Sequence, residues 1–320
     1  MSSVDAETVS SQLLVPAGPR TANPEGVLDC RALPDDEFLR LWDAIQVDES
    51  LKDRLLSHAI LNFTVRSRVD RARLPLHGLL LLVGPPGTGK TSLARGLAAR
   101  AAATLSEMGP FTYVEVDPHD LATAGLGTSQ QSVQRLLGTT VAEYARQRPT
   151  IVVLDEVETL AAARSRLSLE VNPIDVHRAT DALLAQLDHL AARMTRLLFI
   201  ATSNFPEAID TAFISRADFT ATIDRPTPEV CRSIFLDSIE ALAEQFPAVR
   251  AIMSDPNFDH AIRICRDMDG RQIRKVVLAA CTHQQATAVD PNNLRASDFL
   301  WSIQLAKQEQ RRLAAQRDVP

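Results

Sequence analysis

The sequence predicts an α/β protein, a parallel sheet covered by helices on both faces and followed by a smaller all-helical unit. Three observations carry this reading. From Gly78 onward, short apolar runs alternate with helix-length amphipathic stretches, the pattern of strands buried on both faces. The first run, Leu79-Leu80-Leu81-Leu82-Val83, leads into Gly84-Pro85-Pro86-Gly87-Thr88-Gly89-Lys90-Thr91, which matches G-x-x-x-x-G-K-[ST]. After Pro226 the strand-like runs stop and only helical periodicity remains.

In chain order, residues 1–36 contain Pro16, Pro19, Pro24 and Pro34, show no periodicity and read as a flexible acidic arm. Glu37 to Val47, with Leu39, Leu41, Trp42 and Ile45, reads as an ordered linker. Asp48 caps a helix that places Leu51, Leu55, Leu56, Ala59, Ile60 and Phe63 on one side. Strands are expected at 79–83, 112–116, 150–154 and 197–201, with a short one at 220–223. Helices are expected near 90–103, 129–147, 175–192 and 206–214. Thr227 and Pro228 form an N-cap and first-turn pair for a helix through Phe246, and further helices fall near 256–267, 270–287 and 296–317. The domains are therefore a linker and large α/β unit over 37–226 and a small helical lid over 227–320.

Composition removes several classes. No apolar run approaches the ~18 residues that span a bilayer, and Met1 to Asn23 lacks a basic stretch followed by an apolar one. Cys30, Cys231, Cys265 and Cys281 are widely spaced and form no C-x-x-C pair, so they read as reduced thiols of a cytoplasmic protein. The net charge of −6 is concentrated in residues 1–50, which hold ten acids and three arginines. The rest of the chain is nearly neutral and has no basic tract with interleaved aromatics, which argues against a dedicated nucleic-acid binder.

The motifs carry the chemistry. In the loop Gly84, Pro85, Pro86, Gly87, Thr88 and Gly89, the glycines let backbone N–H groups turn onto phosphate oxygens. Lys90 would reach the β- and γ-phosphates, and the Thr91 hydroxyl would ligate Mg²⁺. Ser92 then opens a helix whose N-terminal dipole faces the phosphates. The apolar run Ile151-Val152-Val153-Leu154 ends in Asp155-Glu156, 65 residues beyond Lys90. Asp155 would hold Mg²⁺ through water and Glu156 would polarise an attacking water, which points to hydrolysis. A third run, Leu197 to Ala201, leads into Thr202-Ser203-Asn204, where Asn204 either orients that water or simply favours the turn before Pro206. Arg216 is a candidate arginine finger, the alternative for this residue taken alone being a surface arginine paired with Asp218. Within the lid, Arg271 is the first candidate and Arg274 the second for an arginine that touches the γ-phosphate, the alternative being a solvated basic face.

Together these residues resemble the pachytene-checkpoint type of AAA+ P-loop NTPase, also called the thyroid-hormone-receptor-interactor type. The resemblance rests on Gly84 to Ser92, on Asp155-Glu156-Val157-Glu158-Thr159-Leu160 with Ala163-Arg164, and on Arg178 to Asp188. It is completed by Thr202-Ser203-Asn204 and by Ile209-Asp210 through Ala212-Phe213 to Arg216-Ala217-Asp218. It implies an ATP- and Mg²⁺-dependent homohexameric ring with the linker close to the adenine and Arg216 serving the neighbouring subunit. Such rings grip a flexible end of a HORMA-domain protein in the pore and convert its closed state to the open one. Bacterial members resemble regulators of anti-phage operons that carry a HORMA protein and a cyclic-nucleotide synthase. Two departures stand out. The arm is too short for the family's folded N-terminal domain. The first pore loop, Thr123-Ala124-Gly125-Leu126-Gly127-Thr128, offers only Leu126, flanked by Gly125 and Gly127, where aromatics are usual; a plain glycine-rich loop is the other reading. Competing classes are a DNA-linked loader of the same superfamily, a general unfoldase of another client, and a non-hydrolysing assembly factor.

Overall fold

The computed structural model describes residues 23–118, 121, 125–161 and 173–317, with side chains for all of these except 125–128, 173–177 and 313–317. The expected parallel sheet forms from β2 (Leu79–Val83), β3 (Phe111–Val116), β4 (Thr150–Leu154), β5 (Leu197–Ser203) and β6 (Phe219–Thr222). An additional strand, β1 (Val27–Leu33), pairs antiparallel with β3 and makes the sheet six-stranded, in the order β1-β3-β4-β5-β2-β6.

Strand β1 corrects the expected flexible arm, of which residues 1–22 lie outside the described residues. Its sequence, VLDCRAL, buries only Val27 and Leu33 at its ends. Between them Arg31 pairs with Asp29 at 2.6 Å and Glu37 at 3.1 Å. Charged residues suit an edge strand, because they discourage pairing with another chain. They also hide the alternation by which a strand is recognised.

The linker is helical in its first part: α1 (Asp36–Ala44) starts where the Asp35 carboxylate accepts from the Phe38 N–H at 3.0 Å. Phe38 and Trp42 bury against α3 (Lys90–Thr104), and α2 (Glu49–Thr64) packs on the same sheet face with Leu55, Ala59 and Phe63. The opposite face is covered by α4 (Gly125–Arg135), α5 (Ala142–Gln147) and α6 (Pro173–Arg193). The helix expected over 129–147 is thus interrupted by a π-turn at Leu136–Val141. The helix expected over 206–214 shortens to α7 (Thr211–Ile214), because Asp210 takes an extended ψ of 133° and caps Ala212 at 2.8 Å.

Beyond β6 the helices α8 (Pro228–Ala243), α9 (Pro256–Ile264), α10 (Gly270–Ala280), α11 (Gln285–Val289) and α12 (Ala296–Arg317) enclose their own apolar core around Phe235, Phe258 and Phe299. The single helix expected over 270–287 breaks after Ala280, where the Thr287 hydroxyl donates to the carbonyls of Cys281 and Gln284 at 2.9 Å. Among the described residues no helix is long and apolar enough to cross a membrane.

The approach of α1 to α3 depends on a missing side chain. A Cβ at Gly96 would lie 2.8 Å from the backbone N and Cα of Trp42. Alanine is the better helix former by about 1 kcal/mol, whereas forcing a methyl into a packed site costs about 1–3 kcal/mol. Gly96→Ala is therefore expected to lower the midpoint of a urea or thermal melt. An unchanged or raised midpoint would show that the two helices separate freely.

Candidate functional site

The site is assembled by strand register. In the parallel pairs Val83 lies opposite Ser203 and Leu154 opposite Ala201. The residues following β2, β4 and β5 consequently emerge side by side at the carboxyl edge of the sheet, where ligands of open α/β sheets bind. These are Gly84, Asp155 with Glu156, and Asn204.

The loop from Gly84 to Gly89 needs glycine for close approach and for its backbone angles. Gly84 has φ 152°, and a Cβ there would sit 2.1 Å from the Ile223 carbonyl oxygen. Gly89, at φ 91°, is the N-cap of α3 and leaves no room for a side chain beside Ile45. The first N–H groups of α3 lack helical partners, so its N-terminus favours an anion. Lys90 is buried at 5% exposure and donates from Nζ to the carbonyls of Gly84 and Pro85, both at 2.8 Å. Burial lowers its pKa, and the negative charges of Glu158, Asp155 and Glu156 oppose that shift. The Thr88 hydroxyl donates to the Pro85 carbonyl at 3.0 Å, holding the loop closed on the lysine.

One carboxylate oxygen gathers the neighbouring elements. Asp155 Oδ1 accepts from the Thr91 hydroxyl at 2.8 Å and, in a short contact, from the Thr202 hydroxyl. Thr202 in turn accepts from the Glu156 N–H at 3.2 Å. Glu156 has φ 51° and ψ 49°, the one non-glycine residue with positive φ among the described residues. Such backbone costs about 1–3 kcal/mol and collects at functional sites. Its Oε1 accepts from Asn204 Nδ2 at 2.9 Å, so acid and amide meet directly.

Arg216 belongs to a different polar cluster. Its Nε and Nη2 form a two-pronged pair with Asp188 on α6 at 2.9 and 2.7 Å, and its Nη1 donates to the Ala212 carbonyl at 2.6 Å. The hydrogen bonds to Asp188 raise the arginine pKa and lower that of the acid. The anticipated alternative partner, Asp218, is otherwise engaged: it accepts from the N–H groups of His77, Gly78 and Leu79 and from the Asn62 side chain.

Arg271 and Arg274, from the first turns of α10, line one cleft with Gly87, Gly89 and Ser92. Arg271 is close enough to Lys90 to depress its pKa, whereas Arg274 reaches back to the Ala44 carbonyl at 3.4 Å. An adjoining cleft between linker, loop and lid is lined by the apolar Ile45, Val47, Pro226 and Ile234 together with Gln46, Asp224 and Arg274. Gly125 and Leu126 are the first two residues of α4, so their backbone is helical where a loop was expected; their side chains lie outside the described residues.

Sequence reasoning passed over Thr202, Glu158 and Asp188 as working residues. Thr202 had a signal: it ends the apolar run that leads to Asn204, and the pairing of Leu154 with Ala201 sets it opposite Asp155. Asp188, 28 residues before Arg216, had none without the fold.

Comparison with known proteins agrees with this geometry. Residues 80–225 match the model of the ATPase family associated with various cellular activities (AAA). The chain is 50% identical over 285 residues to CD-NTase-associated protein 6 of Pseudomonas aeruginosa, covering 89% of this chain and 93% of that protein. It is 30% identical over 302 residues to the pachytene checkpoint protein 2 homolog of Xenopus tropicalis, covering 87% and 68%. Among solved structures it resembles C. elegans PCH-2, with TM-score 0.71 and 25% identity over 89% of this chain and 78% of that one. It shares its fold with a chain of the E. coli MS115-1 HORMA:CdnC:Trip13 complex, with TM-score 0.66 and 19% identity over 87% and 94%. The chain belongs to the AAA ATPases of the pachytene-checkpoint type, in company with CD-NTase-associated protein 6.

Proposed function

We propose that this protein hydrolyses ATP and uses the energy, as a homohexameric ring, to open closed HORMA-domain proteins within a CD-NTase anti-phage system. The observation that carries the hydrolase reading is the direct Asn204–Glu156 hydrogen bond, made by a glutamate held at positive φ beside Asp155. The client is supported by the kinship with CD-NTase-associated protein 6 and by the shared fold with a chain of the HORMA:CdnC:Trip13 complex.

The residues fit a magnesium nucleotide. Among the described residues no group of three or more His, Cys, Asp or Glu could hold a metal alone. The Thr91 hydroxyl and the Asp155 carboxylate instead form an all-oxygen pair that phosphate oxygens and water would complete, as Mg²⁺ prefers. When bound, the ion would neutralise phosphate charge. Lys90 and the N–H groups of the loop would bind the phosphates, and the cleft at Ile45 and Val47 would hold the base. Glu156 would take the proton of the attacking water, with Asn204 fixing the carboxylate. Arg271 would read the γ-phosphate from the lid. Arg216 would serve the neighbouring subunit, leaving Asp188 to do so, and Gly125 and Leu126 would face the client.

Glu156→Gln is expected to retain ATP binding while lowering turnover by about two to four orders of magnitude, as read by steady-state phosphate release. Near-normal turnover would remove Glu156 from this role. Lys90→Ala should instead abolish binding in a fluorescent-nucleotide titration.

Arg216→Ala should bind ATP yet fail to hydrolyse it, and wild-type activity should fall on dilution as the ring dissociates. Full activity in a sample shown by light scattering to be monomeric would exclude action across subunits.

Leu126→Ala should keep the melting temperature and basal ATPase but lose ATP-dependent release of a labelled peptide from a closed HORMA-domain protein. A core leucine would instead destabilise by about 2–5 kcal/mol, so a much lower melting temperature would place Leu126 inside the fold.

A further inference from the structure

Glu158 lies two residues past Glu156, in the 3₁₀ turn Val157–Thr159. Its Oε1 accepts from the Asn204 N–H at 3.0 Å, while Oε2 is buried without a hydrogen-bond partner. Asn204 is therefore clamped at both ends: its backbone N–H on Glu158, its side-chain amide on Glu156. A carboxylate oxygen buried without a donor is unfavourable. The side chain is held in that position by the bond its other oxygen accepts from Asn204.

We infer that Glu158 is a positioning residue: its hydrogen bond to the Asn204 backbone sets that residue so that its side-chain amide reaches Glu156. This deepens the hydrolase reading and rests on it. Glutamine at 158 keeps an oxygen for the Asn204 N–H, whereas alanine removes it.

The test is a pair of variants in the full chain, Glu158→Ala and Glu158→Gln, with ATP turnover and binding of a fluorescent nucleotide measured for each. Misplacing a catalytic group costs about 10- to 100-fold in rate, so Glu158→Ala should lose kcat by that factor and Glu158→Gln should recover most of it. Glu158→Ala with wild-type kcat, or Glu158→Gln as impaired as Glu158→Ala, would overturn the positioning role. If Glu158→Ala shows no cooperative melt, Glu158→Gln decides: kcat near that of the wild type supports the role, and a loss of about 10-fold or more overturns it. A wild-type protein that binds ATP without turning it over refutes the hydrolase reading and the positioning role with it, whereas an active wild type with an unimpaired Glu158→Ala refutes the positioning role alone.

Discussion

The working geometry depends on one constraint, the parallel register of β4, β5 and β2. Parallel strands must all enter from one side and leave at the other, so the residue after each strand appears at a common edge. Opposite pairing of Leu154 with Ala201 and of Val83 with Ser203 fixes that edge to within a residue. A slip of one position would turn the apolar side chains to the other face and carry Asp155 away from Thr91 and Thr202. The two hydroxyls on a single Asp155 oxygen are the chemical expression of that register.

Legibility in the sequence followed the same physics. The central strands β2, β4 and β5 are buried on both faces, so their apolar runs were continuous and readable, and β3 was readable although Thr112 and Glu115 interrupt its run. The edge strand β1 carries Asp29 and Arg31 where a central strand would carry valine, and it vanished into an acidic segment. Short-range capping at Asp48 and Thr227 was visible because the capped N–H groups lie within three residues of the cap. Breaks at Asp210 and after Ala280 were not, because each depends on a local side-chain bond that competes with a helix the pattern otherwise permits. The loop, Asp155, Glu156 and Asn204 could be found as motifs, each following a strand. Glu158 was in plain sight as part of a motif, but only the fold brings it to the Asn204 backbone. The partner of Arg216 was misjudged since proximity in sequence favoured Asp218, whereas α6 delivers Asp188 from the side.

Two cations of the proposed machinery already hold partners within the chain. Lys90 is bonded to its own loop carbonyls and Arg216 to Asp188 and Ala212. Hydrogen bonds of charged groups are worth about 1.5–3 kcal/mol each. On the proposed roles, a phosphate at Lys90 or a neighbouring subunit served by Arg216 would have to exchange bonds and not simply add them. Discrimination follows from such exchange, because a weaker acceptor leaves the resting pairs in place.

Glu156 shows what the site demands of the rest of the fold. Its left-handed backbone is one that glycine would adopt without strain. Every glutamate there forgoes stability that a smaller residue would recover, and the surplus comes from the two apolar layers over the sheet. On the proposed role of Glu156, selection for a robust fold and selection for activity would pull this single position in opposite directions. A variant library sorted for thermal resistance alone should drift toward glycine at 156, and in doing so report where the chain gives up durability for chemistry.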